Sequence, residues 1–218
     1  MKIIAVNGSP RKNWNTAMLL SSVLDGAASK GAQTELYHLY DYNYKGCISC
    51  FSCKLKDGIS YGHCALKDEI TPILKSIEEA DALIIGSPIY FGNISGELKS
   101  FLERLFFQYL VYEKDYPTLF KRKIPVGFIY TMNVNEEVLD TSGYKQYLSR
   151  IEQFAQRTFG YAQSLYITDT YQFDDYSKYV VKSFSGEDKA KRRIEHFPDD
   201  LKSAYEIGVK FAEFNFFK

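Results

Sequence analysis

The chain has 218 residues, enough for one ordinary domain with a sizeable core. Its 27 basic and 27 acidic side chains balance, which argues against a nucleic-acid or anionic-membrane partner. No apolar run approaches the roughly 18 residues of a membrane span, and the start is too short for a signal peptide, so a cytoplasmic protein is expected.

Residues 2–6 are a short apolar run that stops at Asn7-Gly8, as a buried parallel strand does. Over residues 16–30, Leu19, Leu20, Val23, Leu24, Ala27 and Ala28 recur at helical spacing, and Gly31 supplies a C-terminal cap. Residues 34–40 predict a second strand. After a cysteine-bearing loop, Ile70, Ile73, Leu74 and Ile77 share one face of a helix over 67–79. Residues 82–86 predict a third strand, ended by Ser87-Pro88, and 95–111 a long helix with Leu98, Phe101, Leu102, Leu105 and Phe106 inward. A fourth strand is predicted over 124–131, a helix over 144–158 and a fifth strand over 162–168. The polar stretch 182–193 reads as a solvated loop or helix end, or as an arm to a neighbouring subunit. Pro198-Asp199-Asp200 then opens a last helix ending near Phe214. Strands alternating with helices imply an α/β fold, its parallel sheet covered on both faces and its crossovers right-handed. The 18 Tyr and 16 Phe fit a tyrosine-rich core and an oligomer interface.

The first strand runs into Gly8-Ser9-Pro10-Arg11-Lys12-Asn13-Trp14-Asn15-Thr16. A polar loop feeding a helix presents unpaired backbone N–H groups and the positive helix end to an anion. Ser9 and Thr16 add hydroxyls, Asn13 and Asn15 amides, and Arg11 a fork for phosphate oxygens. An ordinary turn capped by Asn15 is the alternative, but so many donors at the first corner of an open α/β sheet favour anion binding. A Walker loop is excluded, because Gly8 is followed five residues later by Asn13. A dinucleotide fingerprint is excluded by missing glycines, although Asp41 sits where a ribose-binding acid would.

The third strand leads into Ser87-Pro88-Ile89-Tyr90-Phe91-Gly92-Asn93. There Pro88 stiffens the turn, Gly92 permits close backbone approach, and Tyr90 and Phe91 offer large planes. A turn with buried aromatics is the alternative, but the place at the carboxyl end of a central strand favours a ligand pocket. The fourth strand ends in Thr131-Met132-Asn133, a third candidate wall, in which Met132 alone would more often be core.

Every cysteine lies in Cys47-x2-Cys50-x2-Cys53-x10-Cys64. Such a cluster in a cytoplasmic chain reads as ligands or redox thiols rather than disulfides. Four thiolates at this spacing can converge on a [4Fe–4S] cluster, or bind zinc with His63 as a substitute ligand. A metal-free loop is the reading preferred over both. His38 and His196 read as structural or solvated, and no Ser/His/Asp set or carboxylate pair stands out.

Gly8-Ser9-Pro10-Arg11 through Asn15-Thr16, with Gly86-Ser87-Pro88-Ile89-Tyr90-Phe91-Gly92, resembles the NAD(P)H-dependent FMN reductases of the flavodoxin-like fold. The four-cysteine loop is similar to that of the branch containing the iron–sulfur flavoproteins, whose last gap is shorter than the ten residues here. The resemblance covers roughly residues 1–170. It implies a three-layer sandwich on a five-stranded parallel sheet of order 2-1-3-4-5, with the cysteine loop 43–66 inserted. Residues 171–218 are then a C-terminal extension whose helix packs on the same domain or a neighbouring subunit.

The resemblance further implies that Ser9, Arg11, Asn13, Asn15 and Thr16 grip the FMN phosphate. Ser87, Pro88, Ile89, Tyr90, Phe91, Gly92 and Asn93 line the ring system, with Thr131, Met132 and Asn133 alongside. Electrons pass from NAD(P)H through flavin to a quinone, a free flavin or another acceptor, in a homodimer or homotetramer. Residues 106–112 are the expected contact surface. Two alternatives stand beside this: an iron–sulfur flavoprotein electron carrier whose cluster is held by Cys47, Cys50, Cys53 and Cys64, and a non-enzymatic flavin- or metal-responsive interaction module. The expected partners are small-molecule electron donors and acceptors, with no nucleic acid and no membrane.

Overall fold

A computed structural model describes residues 1–215. The strands are β1 (Lys2–Asn7), β2 (Gln33–His38), β3 (Ala82–Tyr90), β4 (Asn93–Ile94), β5 (Ile124–Thr131) and β6 (Gly160–Ile167). The helices are α1 (Asn15–Ala28), α2 (Thr71–Glu79), α3 (Gly96–Phe107), α4 (Glu136–Thr141), α5 (Tyr144–Phe159), α6 (Gly186–Glu195) and α7 (Phe197–Ala212). The sheet runs β2-β1-β3-β5-β6, with the two-residue β4 hairpinned onto β3. Apart from that hairpin every pairing is parallel, which is the expected flavodoxin-like order.

Successive strand residues face opposite layers, and the core divides accordingly. Ile3, Ala5, Ala82, Ile84 and Ile129 pack under Leu19, Leu20 and Val23 of α1 and Phe197, Ala204 and Phe211 of α7. Ile4, Val6, Leu83, Ile85, Val126 and Phe128 face Ile73 and Ile77 of α2, Leu98, Phe101 and Leu105 of α3, and Phe159 of α5. Both faces are therefore dry, and the inner strands read as continuous apolar runs. Among the described residues no helix is long and apolar enough to cross a membrane.

Four segments differ from the sequence expectation. β3 does not stop at Gly86 but continues through Pro88 to Tyr90. Gly86 turns its carbonyl to Gly8 on the β1 side, so Pro88, two residues on, turns its nitrogen the same way. β1 has already ended there, with Asn7 opposite Gly86, and the missing N–H costs no ladder bond. Helix α2 begins at Thr71 rather than Lys67, because Thr71 Oγ accepts from Asp68 N–H in a local turn and Pro72 then starts the helix. Helix α3 ends at Phe107 rather than Val111: the chain turns out so that Leu110 bridges Thr118. The polar stretch is largely the helix α6, capped by the Ser185 hydroxyl and held by the buried Lys189, which donates to the Asn133 carbonyl and pairs with Asp169, rather than by an apolar stripe.

Candidate functional site

Strands β1, β3 and β5 are neighbours, so their carboxyl ends bring three loops to one edge of the sheet. Direct bonds tie the three corners together. Gly8 N–H donates to the Gly86 carbonyl at 2.8 Å, and the Ser95 hydroxyl donates to the Gly8 carbonyl at 2.6 Å. Ser95 N–H donates to the Ser87 hydroxyl, and the Thr16 and Thr131 hydroxyls pair at 2.8 Å. Pro88 stands opposite Thr131 in the ladder.

The first loop is shaped from within. Asn7, fully buried at the end of β1, accepts from Ser9 N–H through Oδ1 and points its amide nitrogen at His38 Nδ1, 2.9 Å away. That contact needs His38 Nδ1 as acceptor, hence a neutral ring, and burial lowers the His38 pKa below its ordinary value against the pull of Asp41. The Ser9 hydroxyl accepts from Arg11 N–H at 3.1 Å. Helix α1 then starts with no side-chain cap at Trp14 and no acid in its first turn. Its leading N–H groups and positive end are thus offered to the loop rather than neutralised.

The second corner is a tight hairpin. Phe91 and Gly92 both have positive φ (51° and 77°), as a two-residue primed turn requires. Glycine adopts that region freely; phenylalanine does so at a cost of about 1–2 kcal/mol. Phe91 nevertheless stands there with its ring fully exposed, beside the half-exposed Tyr90. At the third corner Met132 is buried in the core, and Asn133 Oδ1 is buried without a protein partner.

The sequence-predicted residues therefore separate into groups. Thr16, Ser87, Pro88 and Thr131 meet at the corner junctions, whereas Ser9 is bonded within the first loop, to Asn7 and Arg11. Gly92, Tyr90 and Phe91 form the hairpin tip, which the Asn93 side chain shapes by accepting from Ile94 N–H. Ile89 is half-buried against the core, and Asn13 is exposed. Arg11 and Asn15 point to the chain after β6: Arg11 donates to the Gln172 carbonyl, and Asn15 donates to the Tyr171 carbonyl. Sequence reasoning missed Asn7, Ser95, Tyr171, Gln172 and Arg193 as parts of this edge. Only Ser95, a serine directly before a helix, carried a local signal.

An anionic, planar cofactor such as FMN fits this edge in two respects. The uncapped α1 end with its hydroxyls suits a phosphate, and the orphaned Asn133 acceptor suits an N–H group of a heterocycle.

The cysteines form a second constellation at the far end of α3. All four line one small cavity with Arg104, Phe107 and Gln108. Arg104, 1 % exposed, ties the loop ends together through Asp68, the Lys45 and Leu66 carbonyls and Cys64 Sγ at 3.3 Å. Gln108 accepts from Cys64 N–H, while its Nε2, buried, has no partner. Desolvation raises the Cys53 pKa, whereas local N–H and hydroxyl donors lower that of exposed Cys50. Among the described residues no three His, Cys, Asp or Glu side chains stand close enough to hold a metal ion. The donor set nonetheless suits a sulfur-ligated group, since a buried guanidinium meets Cys64 Sγ and Gln108, with its orphaned amide donor, lines the same cavity as the four thiols.

Comparison with known proteins adds the following. Residues 1–137 match the family model described as NADPH-dependent FMN reductase. An iron–sulfur flavoprotein of Methanocaldococcus jannaschii is 40% identical over 104 residues, 48% of this chain and 51% of that protein. Another, from Archaeoglobus fulgidus, is 42% identical over 104 residues, 48% of each chain. The chain spans about half the length of these two relatives. The solved structure of an NAD(P)H:quinone oxidoreductase from Methanothermobacter marburgensis covers 96% of this chain and 98% of its own, with a TM-score of 0.66 and 15% identity, a likeness of fold. With 137 of 218 residues matched, the loops that carried the resemblance among them, the chain belongs to the NADPH-dependent FMN reductase family.

Proposed function

We propose that this chain is an FMN-binding, NAD(P)H-dependent oxidoreductase that delivers electrons to a quinone, a free flavin or another small acceptor. The observation that carries the reading is the meeting of three strand ends, interlocked by Thr16–Thr131 and Ser95–Gly8, around an uncapped helix terminus. When bound, FMN supplies the redox chemistry, taking up reducing equivalents from the nicotinamide and releasing them to the acceptor. Ser9, Arg11, Asn13, Asn15 and Thr16 hold the phosphate, with the N–H groups of α1. Residues 87–93 and 131–133 line the rings: Asn133 Oδ1 accepts a hydrogen bond, and Phe91 covers apolar surface and excludes water. The protein's part is to position and to tune, so no side chain is assigned as acid or base.

A homodimer or homotetramer, in the cytoplasm, completes the proposal. A contiguous region carries the exposed Phe51, Tyr116 and Phe154 around a cavity of about 470 Å³ lined by Phe106, Phe107 and Leu110. That much apolar surface on one face suits contact with another copy.

The test is a visible spectrum of the purified protein, followed by NADPH addition with and without a quinone. Flavin absorbance that NADPH bleaches and the quinone restores is expected. A protein that binds FMN but is never reduced by NADPH or NADH would favour the interaction module. Arg11→Ala is expected to retain FMN less well; wild-type-like affinity in that variant sinks the phosphate assignment.

A second reading is favoured by the cysteine cavity, where Cys47, Cys50, Cys53 and Cys64 would hold a [4Fe–4S] cluster, as the names of the archaeal relatives suggest. Iron and acid-labile sulfide measured after anaerobic purification separate the two readings.

A further inference from the structure

The chain between β6 and α6 crosses the phosphate loop, and we infer that it is a working part of the cofactor site, with Arg193 as a positioning residue. This rests on the reading that the phosphate loop holds FMN. Two carbonyls of the crossing segment take the loop's donors: Tyr171 accepts from Trp14 Nε1 at 3.1 Å and Asn15 Nδ2 at 2.8 Å, and Gln172 accepts from Arg11 Nη1 at 2.6 Å. Arg193, from α6, donates to Asn15 Oδ1 at 2.7 Å and reaches Met18 Sδ at 3.0 Å, its guanidinium lying 3.9 Å over the Phe197 ring. Both ends of the Asn15 amide are therefore held by residues more than 150 positions away. Asn15 is the first residue of α1, so these bonds fix the turn whose N–H groups face the anion.

The segment is anchored at both ends on the ring corner. Thr170, buried, bonds the Met132 carbonyl through its N–H and its hydroxyl. Lys189, also buried, donates to the Asn133 carbonyl at 2.5 Å and pairs with Asp169. Between the anchors the strap has no regular element except one short turn, and it holds its shape by aromatic contacts. Phe173 stacks on Tyr179 at 4.0 Å, and Tyr176 meets Tyr171, Phe173 and Phe184 edge-on. One strap thus joins the two corners that FMN must bridge. It closes over the phosphate loop through hydrogen bonds to main-chain carbonyls, which exchange with solvent more readily than a packed core opens.

The test compares FMN with riboflavin, which carries the same rings and no phosphate, for wild type and Arg193→Ala. If Arg193 positions the phosphate corner, the variant binds FMN about tenfold more weakly and riboflavin unchanged, and Arg193→Lys restores part of the loss. Equal loss for both ligands, or none for either, overturns the proposal. Trp14, the one tryptophan of the chain, reports the strap without any ligand. Its emission should shift to the red in apo Trp14-containing Arg193→Ala if the strap lifts, and an unshifted emission counts against it. A wild type that binds no FMN overturns the cofactor reading and this proposal with it; a strap failure shows instead as FMN binding that Arg193→Ala leaves untouched.

Discussion

At the residue scale the edge stores strain and a proton-sensitive contact. Phe91 holds a left-handed backbone with an exposed ring, a cost that packing within this chain does not return. Phe91→Gly should therefore stabilise the apoprotein by about 1 kcal/mol in urea unfolding while weakening flavin binding. A variant that is less stable, or that binds flavin as well as wild type, removes the case for Phe91 as a ring cover. His38 makes the opposite kind of statement. Its folded-state pKa lies below the ordinary 6.5, so the unfolded chain takes up the proton first as the pH falls. The contribution of the neutral ring is full above pH 6.5 and is lost as the pH drops through the lowered folded-state value. Melting temperatures followed from about pH 8 to about pH 5 should fall more steeply for wild type than for His38→Gln, which keeps an acceptor but does not titrate. Parallel curves would falsify the Asn7–His38 linkage.

At the element scale Ser95 joins three parts at once. Its hydroxyl caps α3 by accepting from Leu98 N–H at 3.3 Å and donates to the Gly8 carbonyl, while its own N–H reaches Ser87. Ser95→Ala removes a cap and strands a buried carbonyl, and should cost about 2 kcal/mol in unfolding, with FMN affinity reduced as well. A loss under about 0.5 kcal/mol would show that α3 does not hold the loop. The elements themselves were legible where burial is apolar and periodic: β1, α1, β5 and α5 were read to within a residue or two. The α6 helix was not, because its buried contact is Lys189, and a charged side chain leaves no apolar period to read. The hairpin was missed for a related reason. Pro88 reads as a stop, and only knowing that β1 ends opposite Gly86 makes a strand through it free of cost. The phosphate loop was legible from local chemistry alone, whereas the partners of Arg11 and Asn15 lie in residues 171–193 and no local pattern announces them.

At the scale of the whole molecule, the layer that carries the anion corner is set by one helix crossing. Helix α7 lies against α1 so closely that a Cβ on Gly208 would overlap the Val23 carbonyl, and one on Gly26 the Tyr205 backbone. The buried Ala27 and Ala204 continue the same narrow contact, and Phe197 and Phe211 close it onto the sheet. A backbone-to-backbone contact has no flexible side chain that can yield, so Gly208→Ala must push the helices apart. Such overpacking costs about 1–3 kcal/mol and should lower the Tm by roughly 2–12 °C in a chain of this size. Because α1 begins at the phosphate loop, the displacement reaches the site, and FMN affinity should fall with stability. Gly96→Ala provides the contrast: it lies in the first turn of α3, an added Cβ there meets nothing within 4 Å, and helix propensity alone predicts a gain of about 0.5–1 kcal/mol. Opposite signs for the two Gly→Ala changes locate the effect in the α1–α7 crossing. Equal and small effects would mean that α7 can be moved without consequence for the edge that α1 serves.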